Sequence, residues 1–160
     1  MKRLLVLCGG LLALAGVAPV PLQNRALEMV LDEFHNKTHV HFVFKQQAVV
    51  ESVETQLQMG TFVQLEVDLV QTPCRKSQRG TQNCRIKTGG RKQKCLACFK
   101  FDSSENMLDK SVRCLSQQVP FFQEVRKKQA RECEQVRMEG EEYYRPGVFA
   151  FSRGLPVGSS

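Results

Sequence analysis

Seven cysteines supply most of the chemistry this chain could do. Cys8 lies in an N-terminal apolar run; Cys74, Cys84, Cys95, Cys98, Cys114 and Cys133 lie beyond it. Cys95-Leu96-Ala97-Cys98 has the spacing of half a zinc site or of a redox pair. A structural zinc site needs a second close pair, and a redox pair belongs in a strand–helix–strand setting; the sequence offers neither. An even number of cysteines behind a secretory leader reads instead as three disulfides, with 15 connectivities open. Cys74 and Cys84 flank a loop and can close a hairpin. Cys95 and Cys98, an odd number of residues apart in an extended run, face opposite sides of a sheet and need different partners. Cys114 and Cys133 are left for them. His39 and His41 share a strand face and His35 is near, but no carboxylate or cysteine motif accompanies them, so no metal site is expected. With the cysteines committed to disulfides, no Cys/His or Ser/His/Asp arrangement remains. The expectation is a non-enzyme without cofactors.

Charge gives a second candidate site. Of the +7 formal charge, Lys2 and Arg3 belong to the leader. Between Arg75 and Lys100 there are nine basic residues and no acid, whereas the rest of the chain after the leader carries a net −4. Arg75, Lys76, Arg79, Arg85, Lys87, Arg91, Lys92 and Lys94 thus form a basic patch on a mildly acidic body, suited to a polyanion. Secretion argues against nucleic acid and for glycosaminoglycans. Ile86 is the lone large apolar residue among the charges, which argues against insertion into a bilayer and so against antimicrobial lysis.

These side chains need elements to hold them. Met1-Lys2-Arg3 and the uncharged run Leu4 to Val20 have the basic start, apolar middle and small-residue end of a signal peptide, taken as residues 1–18, with cleavage between Ala15 and Ala18. No other apolar run is long enough to span a bilayer. Residues 19–142 then form one modest domain. Residues 22–36 read as an amphipathic helix, with Leu27, Val30, Leu31 and Phe34 recurring at three and four. Asn36-Lys37-Thr38 closes it and is an N-glycosylation sequon at Asn36. From Val40 the period becomes two, with Phe42 and Phe44 on one face and His41, Val43 and Lys45 on the other. This strand is expected to bulge at Gln46-Gln47 and to run to about Val53. Thr55 to Gly60 reads as a turn. Phe62 to Gln71 follows as a strand whose Val63, Leu65, Val67 and Leu69 are buried while Gln64, Glu66 and Asp68 stay wet. Residues 72–94 read as a basic loop, Lys94 to Phe101 and a segment ending at Cys114 as strands, and 120–137 as a weaker helix. The sum is an α+β monomer: one main helix on a four- or five-stranded antiparallel sheet, with a flexible C-terminal tail.

The order helix, long strand, turn, strand and paired-cysteine loops resembles the cystatin-like fold of cystatins and cathelicidin propieces. Cys74-Arg75-Lys76, Gly90-Arg91-Lys92-Gln93-Lys94-Cys95-Leu96-Ala97-Cys98 and the tail Pro146-Gly147-Val148-Phe149-Ala150-Phe151-Ser152 are similar to the chemerin family over the whole chain. The resemblance implies a secreted chemoattractant and adipokine made as an inactive precursor. It also implies trimming of the C-terminus by serine proteases and entry of the new end into a G-protein-coupled chemerin receptor. It implies the pairs Cys74–Cys84, Cys95–Cys114 and Cys98–Cys133. Residues 143–152 would be the receptor-binding peptide and 153–160 the removable propeptide. The chain departs from the family at Arg145, where Phe is usual, and at Val148, where Gln is usual.

The physics of such a tail is simple. Tyr144, Phe149 and Phe151 offer large, stiff side chains that lose little entropy on burial, and Pro146-Gly147 presets a turn that aims them into one pocket. Ala150 keeps the spacing. A cut after Arg153 followed by a carboxypeptidase, or a direct cut after Ser152, leaves an α-carboxylate at Ser152 that a receptor cation can recognise. Residues beyond it displace that charge, so cleavage acts as a switch. The cystatin likeness raises a rival role as a cysteine-protease inhibitor. Its wedge would be Gln56-Leu57-Gln58-Met59-Gly60, but Gln58 replaces the central Val and the chain has no Trp for the second wedge.

Overall fold

A computed structural model describes residues 21–80, 83–117 and 120–141. The elements run α1 (Leu22–His35), β1 (Phe42–Leu57), β2 (Gly60–Arg75), a short 3-10 turn (Lys76–Gln78), β3 (Lys92–Phe101), β4 (Met107–Ser116) and α2 (Phe122–Met138). The four strands form one antiparallel sheet in the order β1-β2-β3-β4. The leader and the C-terminal segment from Glu142 onward lie outside the described residues.

Helix α1 buries Leu22, Ala26, Val30 and Phe34, a strict four-residue repeat. Leu27 and Leu31 only flank that stripe, so the buried face is turned from the expected one. The stripe packs on Val63, Leu65, Val67 and Leu69 of β2 and on Cys95, Ala97, Phe99 and Phe101 of β3, with Val40 and Phe44 closing one end. Burying one such side chain stabilises by about 1.5–3 kcal/mol, which makes this layer the main core.

Strand β1 is irregular, as expected, with shifts of register between Phe42 and Phe44, between Gln46 and Ala48 and between Val49 and Glu51. Val43 keeps the face opposite Phe44, but that face is covered there: Val43 is buried against Cys74 and Cys84. Pairing continues to Leu57 opposite Gly60, so the expected turn at 55–60 shrinks to Gln58-Met59. Polar residues at 54–56 are compatible with this because the far half of β1 is an exposed edge. Gly60 is required there: its φ is +134°, and a Cβ would lie 1.9 Å from the carbonyl oxygen of Phe101. The expected basic loop at 72–94 is shorter too, since β2 reaches Arg75 and β3 begins at Lys92.

The larger correction concerns the second face of the sheet. Glu66 is buried instead of wet, and Gln64 and Asp68 are half-buried, because α2 crosses that face. This second helix has few apolar residues and buries only Gln129, Cys133 and Val136. What it covers is therefore held by polar pairing. Arg126 grips Glu66 with two hydrogen bonds, at 2.8 and 3.0 Å, and Lys94 adds a third at 3.0 Å. The bonds from Arg126, followed by those from Lys94, hold the Glu66 carboxyl below its usual range against the opposing effect of burial.

The three disulfides join Cys74–Cys84, Cys95–Cys114 and Cys98–Cys133. Cys95 lies among the α1-side core residues and Cys98 among the α2-side ones, which is the opposite-face geometry of an odd spacing. No helix among the described residues is long and apolar enough to cross a membrane.

Candidate functional site

The register of the sheet sorts the candidate residues to its two ends. Phe42 pairs with Arg75 and Gln93 with Ser116 at one end; Leu57 pairs with Gly60 and Phe101 with Met107 at the other. Ten residues of β2 separate Thr61 from Gln71, a span of roughly 30 Å at strand rise.

The first end is basic. Two cavities open there, of about 490 and 580 Å³, and both are lined by Gly89, Gly90, Arg91 and Gln93. The first adds His39, His41, Phe42 and Lys87; the second adds Lys92, Ser116 and Gln117. Neither lining contains a carboxylate. Arg85, Lys87, Arg91 and Lys92 are exposed and, among the described residues, form no ion pair. Arg75 stands over the ring of Phe42 at 5.5 Å. Two other members of the expected patch are engaged locally: Lys76 Nζ donates to the carbonyl of Lys37 at 3.3 Å, and Arg79 pairs with Asp32 at 2.8 Å. Lys94 does not belong to the patch. It reaches the α2 face and pairs with Glu66 at 3.0 Å and Asp68 at 3.2 Å, because an even-numbered position on β3 shares the side of Cys98.

Behind this end sits His35, buried although it closes α1. Its Nδ1–H donates to the carbonyl of Leu31 at 2.6 Å, and its Nε2 accepts the backbone N–H of Phe44 at 3.0 Å. The ring is thus held neutral, and burial, aided by Arg79 and Lys76, outweighs the Leu31 carbonyl and Asp32 and lowers its pKa below 6.5. A depressed histidine binds its proton more readily when unfolded. Stability should therefore be complete above about pH 6.5 and fall as pH drops below it toward the folded-state value. Urea titrations between pH 7 and pH 5 should show that loss in the native chain and a shallower one in His35→Gln, whose amide oxygen can still accept from Phe44. Equal slopes would refute it. The carboxylates held low act only below 4.5, so the window is clean.

The opposite end holds the junction with the C-terminal segment. Lys100 is fully buried and donates to Glu141 Oε1 at 2.9 Å and to the carbonyl of Arg137 at 2.7 Å. The same Glu141 oxygen accepts the backbone N–H of Met59 at 2.9 Å, on the turn between β1 and β2. The last described residue of the chain is thereby fixed beside the Gln56–Gly60 turn. A cavity at this end is lined by Glu54, Asp102 and Glu105 along with Gln56, Gln58 and Thr61, so its charge is the reverse of the basic end. Sequence reading missed Lys100 and Glu141. The signal was present: a lysine amid Leu96-Ala97-Cys98-Phe99-Lys100-Phe101, in a strand buried on both faces, demands an acid, though nothing local names which one.

Tyr144, Pro146, Gly147, Phe149, Ala150, Phe151, Ser152 and Arg153 lie outside the described residues. Asn36 is exposed at the C-cap of α1. Among the described residues no group of three or more metal-ligating side chains converges.

Comparison with known proteins gives a family model, full-length relatives and a likeness of fold. The family model described as the cystatin domain matches residues 16–101. Retinoic acid receptor responder protein 2 of Homo sapiens is 38% identical over 163 residues, covering 98% of this chain and 99% of that protein. Its Bos taurus counterpart is 39% identical over 136 residues, 83% of each chain. The crystal structure of dimeric human cystatin F aligns with a TM-score of 0.50 at 20% identity, over 62% of this chain and 82% of that one; this is a likeness of fold.

Proposed function

The chain belongs to the family of retinoic acid receptor responder protein 2, the chemerin family, and carries its cystatin domain; from that premise we propose that it is a secreted chemoattractant precursor activated by C-terminal proteolysis. Serine proteases, with or without a carboxypeptidase, remove residues 153–160, and the end at Ser152 enters a G-protein-coupled chemerin receptor. It acts as a ligand and not as an enzyme, with no metal or cofactor. The observation that carries the reading is the segment Phe149-Ala150-Phe151-Ser152-Arg153: two aromatics, a terminus that can be trimmed to Ser152, and one basic cleavage residue.

The two ends of the fold support this division of labour. Glu141 ties the root of the segment to the β1–β2 turn, so the residues that follow start from a rigid point, which lowers the entropy lost on binding. That same bond argues against an inhibitor of cysteine proteases. The turn that would enter a protease cleft is braced from behind by Glu141, presents Gln58 and borders the acidic cavity.

The test compares purified, disulfide-intact chains ending at Ser160, Arg153 and Ser152 for calcium release in cells bearing the receptor. The Ser152 form should act at a concentration at least about tenfold below the Ser160 form, the worth of one recognised charge of about 1.4 kcal/mol. Equal silence of all three would overturn the reading.

A further inference from the structure

We infer that the two joined cavities at the basic end form a binding site for a sulfated glycosaminoglycan, and that the bound protein holds Glu141, the root of its C-terminal segment, away from the glycan. This goes beyond receptor activation and does not depend on it.

A linear polyanion needs cations set in a row and an open path between them. The shared floor of the cavities provides the path: Gly89 and Gly90 carry no side chain, and a Cβ at Gly89 would meet nothing within 4 Å. Arg91 belongs to both cavities, Lys87 stands on one side of it and Lys92 on the other. Gln71, Gln93, Ser116 and Gln117 add neutral hydrogen-bonding groups suited to hydroxyls and sulfate oxygens. With no acid in either lining, an approaching anion meets attraction along the whole track. Ile86, 45% exposed, is the single large apolar side chain offered to solvent on the described loop residues 79–91, too little to anchor in lipid. A flexible sulfated chain therefore suits the site better than a membrane surface.

The orientation follows from the sheet. The root of the C-terminal segment is fixed at the end bearing Met59 and Glu141, beside a cavity lined by Glu54, Asp102 and Glu105. That end is repelled by the polyanion that attracts the other. Docking through Lys87, Arg91 and Lys92 leaves the tail root roughly 30 Å away, on the solvent side, along the length of β2.

The test is retention of the full chain on immobilised heparin. The native chain should stay bound at about 0.15 M salt, and Arg91→Ala with Lys92→Ala should weaken binding about tenfold, as the loss of two close charges predicts. Lys127→Ala with Lys128→Ala removes the same charge from exposed positions on α2. It should leave retention nearly unchanged, and an equal loss from both pairs would show a response to net charge alone and overturn the site. Elution of the native chain below physiological salt would overturn it as well. Desulfated heparin should not bind. Phosphatidylserine vesicles that capture the chain as firmly as heparin, and lose it with the Arg91 and Lys92 changes, would assign the site to membranes instead. For the orientation, carboxypeptidase should release C-terminal residues from heparin-bound and free chain at the same rate, read by mass; protection by heparin would refute it.

Discussion

Glu141→Ala should destabilise the domain by about 3 kcal/mol, although the residue lies on the last described turn of the chain. The reason is Lys100. Its ammonium group has no exposure to solvent and, among the described residues, two acceptors, Glu141 Oε1 at 2.9 Å and the Arg137 carbonyl at 2.7 Å. Removing the carboxylate leaves a buried cation with one neutral partner, and it also frees the Met59 N–H at the turn. Lys100→Met should cost far less. It removes the same ion pair, but a methionine opposite Phe62 leaves no buried charge there, while the released carboxylate, 12% exposed, can turn to water. Glu141→Gln should fall between the two, since its amide oxygen still accepts from both donors. Urea midpoints at pH 7 with a common m-value measure all three. Equal losses in Glu141→Ala and Lys100→Met would mean that the pair, and not the stranded charge, carries the effect. Burial acts to raise the Glu141 pKa, yet the bonds from Lys100 and Met59 leave it lowered. Its contribution is therefore full above pH 4.5 and is lost as pH falls through the lowered value, a dependence Glu141→Gln should not show.

That pair also marks where sequence reading stopped. The sheet side of the α1 layer was legible because a period-two pattern writes burial directly into the chain: Val63, Leu65, Val67 and Leu69 could belong only to one face. The helix was legible as an element, but its buried stripe lies at Leu22, Ala26, Val30 and Phe34 and leaves Leu27 and Leu31 at its flank. The opposite-facing pair Cys95 and Cys98 was legible for the same reason. The α2 face was not. Glu66 and Asp68 look wet in an alternating strand, and residues 120–137 show Phe121, Val125 and Val136 scattered among charges without a clear stripe, so neither partner announces the other. Their burial becomes tolerable only when Arg126, Lys94 and Glu66 meet across 28 and 60 residues of sequence. Periodicity reports what water repels; it is silent on charges that satisfy one another over long separations. The basic patch was half legible on similar grounds. Composition located it, but only strand direction could remove Lys94 from it and add the His39 and His41 wall.

The remaining large effect is expected from the Cys98–Cys133 bond. Replacing both cysteines by alanine should destabilise by about 3–4 kcal/mol, from the chain entropy released when a loop of 35 residues opens. The loss should also be uneven. Besides Cys133, α2 buries only Gln129 and Val136, so this bond is the chief apolar tether of the helix to β3. The Cys95–Cys114 bond, by contrast, joins residues directly opposite on β3 and β4, whose ladder holds them in place without it. Hydrogen exchange should therefore rise throughout residues 122–138 in Cys98→Ala with Cys133→Ala, while α1 and β2 keep their protection. Cys95→Ala with Cys114→Ala should loosen the hairpin instead and leave α2 protected. Uniform loss of protection in both variants would show that the two layers unfold as one unit. A loosened α2 would also release Arg137 and Glu141 from Lys100, so the disulfide fixes the root of the C-terminal segment as well as the helix. In that variant, truncated at Ser152, receptor potency should fall even where the chain remains folded, because the segment no longer starts from a fixed point.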